Sequence, residues 1–172
     1  GEAMRTLIGL SGMDWSSIDP SIFGTLFERS LDPAKRAQLG AHYTDRSDIN
    51  LIVEPVLMAP LREGWEAAKA QDEPAVRAFH EQLAGTTVLD PACGSGNFLY
   101  VSMRALLDLE KTVLAECDQQ GWARPAEPRV SPQNVYGIEI NPYAHELAQA
   151  TVWIGYLQWR NENGYGFPPE PI

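Results

Sequence analysis

Residues 86–99 decide the fold, and they read Thr-Thr-Val-Leu-Asp-Pro-Ala-Cys-Gly-Ser-Gly-Asn-Phe-Leu. A short apolar run ends at Asp90, passes through a turn with Gly94 and Gly96, and enters a helical pattern. Glycine allows positive φ angles and lets a ligand approach the backbone closely. The N-terminus of the following helix carries partial positive charge. The stretch therefore predicts a strand–turn–helix unit in which backbone N–H groups and one carboxylate converge on a small ligand.

The carboxylate of Asp90 indicates the class of that ligand. A dinucleotide site places a pyrophosphate at such a turn and follows the pattern G-x-G-x-x-G, but the third glycine position is Leu99 here. A carboxylate at the strand end repels pyrophosphate and attracts an ammonium group. S-adenosylmethionine has an ammonium group and no phosphate, so it is the predicted cofactor. A tight strand–helix turn with no ligand is the alternative.

A second acidic residue, Glu139, ends the next predicted strand, over residues 134–140. An acid at that position can accept hydrogen bonds from both ribose hydroxyls. Ile140 follows it and offers an apolar side chain to an adenine ring. A solvated glutamate at a strand end is the alternative interpretation of Glu139.

The order of the predicted elements is helices first, then β-α-β-α. A buried strand is expected over 86–89, and Pro55 and Pro60 are expected to kink or split the second helix. This order predicts an α/β fold with a doubly wound parallel sheet, of which the first two strands are present. Residues 1–84 form the predicted helical N-terminal segment, and residues 85–172 the first β-α-β-α part of the sheet domain. Helices are predicted after Asp19-Pro20 and over residues 46–70, 73–85, 96–116 and from 142 onward.

Composition excludes several classes of protein. The 172 residues are 44% hydrophobic and 21% charged, with a net charge of −10, which is typical of a soluble globular domain. The acidic balance argues against strong independent binding to DNA, because such binding depends on Lys and Arg. There is neither a membrane-length apolar run nor a secretory leader, so we expect a cytoplasmic protein. Cys93 and Cys117 show no metal-ligand spacing, and Cys93 has no evident basic partner that would make it a nucleophile.

Three segments resemble motifs of adenine-specific DNA methyltransferases. Residues 90–98 resemble motif I, Gly-Ala-His-Tyr-Thr at 40–44 resembles motif X, and Gly-Ile-Glu-Ile-Asn at 137–141 resembles motif II. The order X, I, II is that of the gamma type. Phe-Gly-Thr-Leu-Phe-Glu at 23–28 also resembles the lead-in helix of large single-chain type II restriction–modification enzymes. The resemblance covers about 19–159.

The resemblance implies a Rossmann-like, S-adenosylmethionine-dependent methyltransferase fold and a role for eight residues. Asp45 departs from the family, in which many members carry proline after the threonine of motif X. The implied cofactor ligands are Thr44 and the backbone near Tyr43 for the methionine carboxylate, Asp90 for the amine, Ala92, Gly94 and Gly96 for close backbone contact, Glu139 for the ribose, and Ile140 for the adenine.

The base-binding tetrad of these enzymes, [Asn/Asp/Ser]-Pro-Pro-[Tyr/Phe], does not occur in the 172 residues. In the family this loop binds and stacks on a flipped adenine. Asn141-Pro142-Tyr143 lacks the second proline and is better explained as a helix N-cap followed by a first-turn proline. Residues 167–170, Phe-Pro-Pro-Glu, lack the amide and the trailing aromatic residue. We therefore predict no catalytic residue in this chain.

The resemblance implies the N-terminal, cofactor-binding part of an adenine-N6 DNA methyltransferase from a restriction–modification or phage-defence system. Its partner would be double-stranded DNA, engaged through the full-length protein. Methyltransferases that act on protein glutamine or RNA remain an alternative, and so does a non-catalytic cofactor-sensing or assembly module. A half-sheet also leaves an exposed strand edge and apolar face, which favours self-association.

Overall fold

A computed structural model of the protein describes residues 18–22, 24 and 44–166. Most of the helix predicted after Asp19-Pro20 lies outside these residues, as do residues 40–43 of motif X and the segment 167–172. At the start of that predicted helix, the side chain of Asp19 accepts a hydrogen bond from the Ser21 N–H at 2.9 Å. This bond is the one expected of an N-cap.

The stretch from 46 to 69 is helical throughout but changes its winding at Pro55. Helix α1 spans Arg46–Val53, a π-helical segment spans Glu54–Met58, and helix α2 spans Ala59–Lys69. Pro55 has no N–H to continue the α pattern, and the Ala59 N–H bonds to the carbonyl of Glu54, five residues back. The predicted break at Pro55 is therefore a π segment, whereas Pro60 lies in the first turn of α2.

Helix α3 spans Glu73–Ala84, and its limits follow the sequence signals. Asp72 caps it by accepting a hydrogen bond from the Ala75 N–H at 3.0 Å, and Gly85 ends it. The helical spacing of Val76, Phe79 and Leu83 predicts one apolar face, and it is confirmed because all three residues are buried.

Strands β1, Val88–Asp90, and β2, Val135–Gly137, form a parallel pair in which Asp90 is opposite Gly137. The parallel pairing was predicted, but the prediction of a buried first strand is wrong. Leu89 is 60% exposed, because helices cover only one face of the sheet in the described part of the chain. Side chains alternate between the two faces of a strand, and Leu89 points to the uncovered one.

The two long helices pack against each other, and the first of them also packs against both strands. Helix α4 spans Asn97–Gln120 and helix α5 spans Pro142–Glu162. Asn141 caps α5 by accepting a hydrogen bond from the Tyr143 N–H at 2.9 Å, which confirms the predicted N-cap. Helical spacing predicts a set of inward-facing apolar residues on α4, and all of them are buried: Leu99, Met103, Leu106, Leu107 and Leu114. On α5, Ala148 and Thr151 are buried, whereas Leu147, Ile154 and Leu157 are half-buried.

A short 3₁₀ helix, Pro132–Asn134, leads into β2. Buried Asn134 donates hydrogen bonds to the carbonyls of Ala84 and Thr86 at 2.9 and 2.8 Å. These bonds hold the start of β2 beside the segment that enters β1. The described residues thus form an α/β fold that is mostly helical around a short parallel sheet. None of the helices in that part of the chain is both long and apolar enough to cross a membrane.

Candidate cofactor-binding site

The two chain segments that follow β1 and β2 are joined beyond the ends of the strands. The Ile138 N–H donates to the carbonyl of Asp90 at 2.9 Å, and the Cys93 N–H donates to the carbonyl of Ile138 at 3.0 Å. Parallel strands place their carboxyl ends at the same edge of a sheet, where ligands bind in open α/β folds. Two of the predicted ligands, Asp90 and Glu139, therefore come to one edge although 49 residues separate them in the sequence (139 − 90).

The carboxylate of Asp90 is half-exposed at this edge. It accepts a hydrogen bond from the Ala92 N–H at 3.0 Å, which stabilises the turn that begins motif I. An ionised carboxylate offers about four lone-pair sites. The bond to Ala92 thus leaves Asp90 capacity to accept hydrogen bonds from an ammonium group.

The carboxylate of Glu139 connects the two segments. One oxygen accepts from the Gly94 N–H at 2.9 Å, and the other accepts from the Asn141 N–H at 2.7 Å. The sequence predicts that Glu139 binds the ribose of the cofactor, and the structure adds a second role, in which Glu139 stabilises the glycine turn. Two bonds use about half of the acceptor capacity of a carboxylate, so the ribose role remains chemically open to Glu139.

The two glycines of the turn differ in what surrounds them. Both have positive φ, +53° at Gly94 and +83° at Gly96. A Cβ at Gly94 would meet no atom within 4 Å, whereas a Cβ at Gly96 would lie 2.8 Å from the Cα of Ala148 on α5. Gly94 therefore leaves open space beside the turn, as a ligand would need. Gly96 is required for close packing of the turn on α5.

Cys93 lies in the turn and is buried. Burial raises the pKa of its thiol to about 11, and the nearby charges of Asp90 and Glu139 act in the same direction. The thiol therefore stays protonated at neutral pH, whereas a nucleophilic cysteine must be a thiolate. This agrees with the sequence interpretation, in which Cys93 has no basic partner and is a small residue of the motif.

The described end of motif X lies against motif I. The side-chain N–H of Asn97, the first residue of α4, donates to the carbonyl of Thr44 at 2.7 Å. The structure thus brings Thr44 to the predicted site, while Tyr43 lies outside the described residues. The sequence interpretation gave Asn97 no role, although the residue stands inside the motif I string.

The side chain of Ile140 is 92% exposed just beyond β2, so it is free to cover a planar apolar group. Taken together, the residues at this edge fit S-adenosylmethionine. They offer two carboxylates for an ammonium group and for hydroxyls, open space beside a glycine, and an exposed apolar side chain. Among residues 18–22, 24 and 44–166, no cluster of His, Cys, Asp and Glu has the arrangement of a metal site.

Similarity to known proteins identifies the family. The sequence matches the family described as "MmeI, DNA-methyltransferase domain" over residues 65–165, which is more than half of the chain. The chain belongs to the MmeI DNA-methyltransferase domain family. Membership confirms the kind of protein that the motifs predicted, a methyltransferase of restriction–modification enzymes.

Two curated relatives agree with this family. DNA methyltransferase A of Bacillus subtilis is 29% identical over 150 residues, which cover 87% of this chain and 17% of that protein. A putative type II restriction enzyme and methyltransferase of Methanocaldococcus jannaschii is 25% identical over 179 residues, which cover 89% of this chain and 15% of that protein. The chain thus corresponds to about one sixth of the length of each.

A solved structure, that of the type IIL restriction–modification enzyme MmeI in complex with DNA, matches the described fold. Its chain is 35% identical to this one with a TM-score of 0.84, and the match covers 99% of this chain and 24% of that chain. The α/β arrangement described above is therefore that of part of an MmeI-type enzyme.

Proposed function

We propose that this chain is the S-adenosylmethionine-binding part of an adenine-N6 DNA methyltransferase in a restriction–modification system. One observation carries the proposal: Asp90 and Glu139 both lie at the glycine turn, at one edge of the parallel sheet, and each accepts a hydrogen bond from a main-chain N–H of that turn. The match to an MmeI DNA-methyltransferase domain supports DNA as the substrate over RNA or protein.

Each proposed ligand has a defined task. S-adenosylmethionine supplies an electrophilic methyl group when bound. Asp90 accepts hydrogen bonds from its ammonium group, Glu139 accepts from its ribose hydroxyls, and Ile140 covers its adenine. Thr44 and the backbone near Tyr43 hold its carboxylate beside the positive N-terminus of α4. Close backbone contact is assigned to Ala92, Gly94 and Gly96, and the proposed fold is Rossmann-like.

The proposed DNA step needs residues beyond those of this chain. An enzyme that acts on an adenine within a duplex must turn the base out and hold its amine, and the family tetrad that does so is absent from the sequence. The net charge of −10 also leaves most phosphate contacts to other parts of the full-length protein.

We therefore expect the purified 172-residue chain not to methylate DNA. The measurement is transfer of a labelled methyl group from S-adenosylmethionine to double-stranded DNA of varied sequence, with a full-length relative as positive control. Methylation by the purified chain would contradict this prediction.

The cofactor site is tested by the substitution Asp90→Asn. The amide can still accept from the Ala92 N–H, but its charge is gone, so we expect S-adenosylhomocysteine to bind at least about tenfold more weakly. Isothermal titration calorimetry measures the affinity. Asp118→Asn is the matched control, because Asp118 is an exposed carboxylate paired with Arg124. Equal affinity in Asp90→Asn and the unsubstituted chain would overturn the assignment.

A further inference from the structure

We propose that Asn97 is a positioning residue, which holds the main chain of Thr44 against the N-terminus of α4 so that both can bind one carboxylate. This inference rests on the proposed function, in which Thr44 receives the methionine carboxylate of the cofactor. The bond itself is independent of that function, since it joins the Asn97 side chain to the Thr44 carbonyl at 2.7 Å.

The position of Asn97 makes this bond a connection between two distant parts of the chain. Asn97 and Thr44 are 53 residues apart in sequence, and Asn97 is only 7% exposed. Because the acceptor is a main-chain carbonyl, the bond fixes the backbone from which the Thr44 side chain projects. Because Asn97 is the first residue of α4, the bond is made at the end of the helix that carries partial positive charge.

Among the described residues, the chain that follows Thr44 is anchored as well. Asp45 accepts a hydrogen bond from the Ser47 N–H at 2.8 Å and so caps α1. Helix α1 buries Ile49 and Val53 and packs against α4. Within residues 44–166, this anchor holds Thr44 from its C-terminal side, and the bond from Asn97 holds it against the start of α4.

The amide oxygen of Asn97 indicates that this side chain does more than pack. Its Oδ1 is buried and has no hydrogen-bond partner among the residues that the structure describes. An unpaired buried acceptor is unfavourable, and an apolar residue would avoid it. The amide orientation follows from chemistry, because the Thr44 carbonyl accepts only and must face the N–H side.

The test is Asn97→Asp, which keeps the size of the side chain and removes the N–H donor. At neutral pH we expect about tenfold weaker binding of S-adenosylhomocysteine, measured by calorimetry. At a pH low enough to protonate the new carboxyl group, its O–H can donate to the Thr44 carbonyl. The affinity of the variant should then approach that of the unsubstituted chain at the same pH. Equal affinities of the variant and the unsubstituted chain at every pH would overturn the proposal.

A double-mutant cycle separates positioning from general support of the fold. If Asn97 acts by placing the Thr44 hydroxyl, then Asn97→Asp in a Thr44→Ala background should weaken binding by less than about twofold. The same tenfold loss in both backgrounds would overturn the role assigned to Thr44. Should Asn97→Asp fail to fold, Asn97→Ser, whose hydroxyl is too short to reach, undergoes the same cycle.

Asn134→Asp is the matched control. Asn134 is also a buried amide that donates to main-chain carbonyls, those of Ala84 and Thr86, but it lies at the opposite end of β2. We expect this variant to unfold more easily and yet to bind S-adenosylhomocysteine with unchanged affinity. A loss of affinity equal to that of Asn97→Asp would overturn the proposal.

Hydrogen exchange tests the anchor without any ligand. Amide hydrogens of residues 44–48 should exchange faster in Asn97→Asp than in the unsubstituted chain, while those of α3 keep their rates. If no ligand binds to the unsubstituted chain, the proposed function fails, but this readout still decides the role of Asn97. Unchanged exchange at 44–48 would overturn it.

Discussion

At the scale of single residues, Gly96 shows that a motif glycine can serve packing as much as ligand binding. Its φ of +83° belongs to the left-handed region, which costs an L-residue about 1–2 kcal/mol. Its missing side chain also lets α5 approach, because a Cβ would lie 2.8 Å from the Ala148 backbone. Gly96 therefore joins the turn of the candidate site to the helix that follows β2.

We predict that Gly96→Ala lowers the free energy of unfolding by about 2–4 kcal/mol, through backbone strain and forced displacement of α5. Urea unfolding followed by circular dichroism measures the change. Gly121→Ala is the matched control, since Gly121 also has a positive φ, +70°, but a Cβ there would meet no atom within 4 Å. It should cost only about 1–2 kcal/mol. Equal losses in the two variants would show that packing at Ala148 contributes nothing.

Residue positions at the candidate site differ in how far the sequence reveals them. The meeting of Asp90 and Glu139 could be predicted, because parallel strands end at one edge of a sheet. The hydrogen bond from Asn97 to Thr44 could not, because its acceptor is a main-chain carbonyl that has no sequence signature. The second role of Glu139, accepting from the Gly94 N–H, was missed because a main-chain N–H donor has no sequence signature either.

At the scale of elements, the fully buried Glu110 joins α3, α4 and the segment before β2. Its carboxylate pairs with the Nε2 of His80 at 2.6 Å. It also accepts from the main-chain N–H groups of Arg129 and Val130 at 2.7 and 2.9 Å. Buried polar groups are tolerated when they are hydrogen-bonded in this way.

We predict that Glu110→Ala lowers the free energy of unfolding by about 3–5 kcal/mol, because buried His80 and the main-chain N–H groups of Arg129 and Val130 lose their partner. Thermal and urea unfolding measure the loss. The control is Glu73→Ala, which removes an ion pair with Arg77 within α3. Such exposed pairs contribute less than about 1 kcal/mol. A loss no larger than that of the control would contradict the structural role of Glu110.

Helices were predicted better than strands, for a physical reason. The apolar period of α3 and the cap residues of α3 and α5 are local signals, and they agree with the structure. The burial of a strand depends instead on which elements cover its faces, and those are distant in sequence. Leu89 looked like a core residue, yet it is 60% exposed.

At the scale of the whole molecule, the uncovered face of the sheet is an exposed apolar surface beside the candidate site. Leu89 is opposite Tyr136 in the register, and Ile138 follows two residues later on the same side. Their exposures are 60%, 54% and 59%. Contiguous apolar surface of this kind favours association.

We predict that the 172-residue chain self-associates and that Tyr136→Lys combined with Ile138→Lys shifts it towards the monomer. Analytical ultracentrifugation over a range of concentrations measures the mass. Leu51→Lys is the control, because Leu51 is an exposed apolar residue on α1. A monomeric unsubstituted chain, or an equal shift with Leu51→Lys, would contradict a role for the sheet face.

The π segment after α1 has a consequence for the length of the polypeptide. The buried residues Ile49 and Val53 are four positions apart, whereas Val53 and Met58 are five apart. The π segment therefore contains one residue more than an α-helix would need to keep its buried face towards the core. Removing one residue between 54 and 57 would restore an ordinary helical repeat without rotating α2 out of the core. Homologues can therefore differ by a single-residue gap at this place, whereas a gap elsewhere in the same helical stretch would turn its apolar stripe by about 100°.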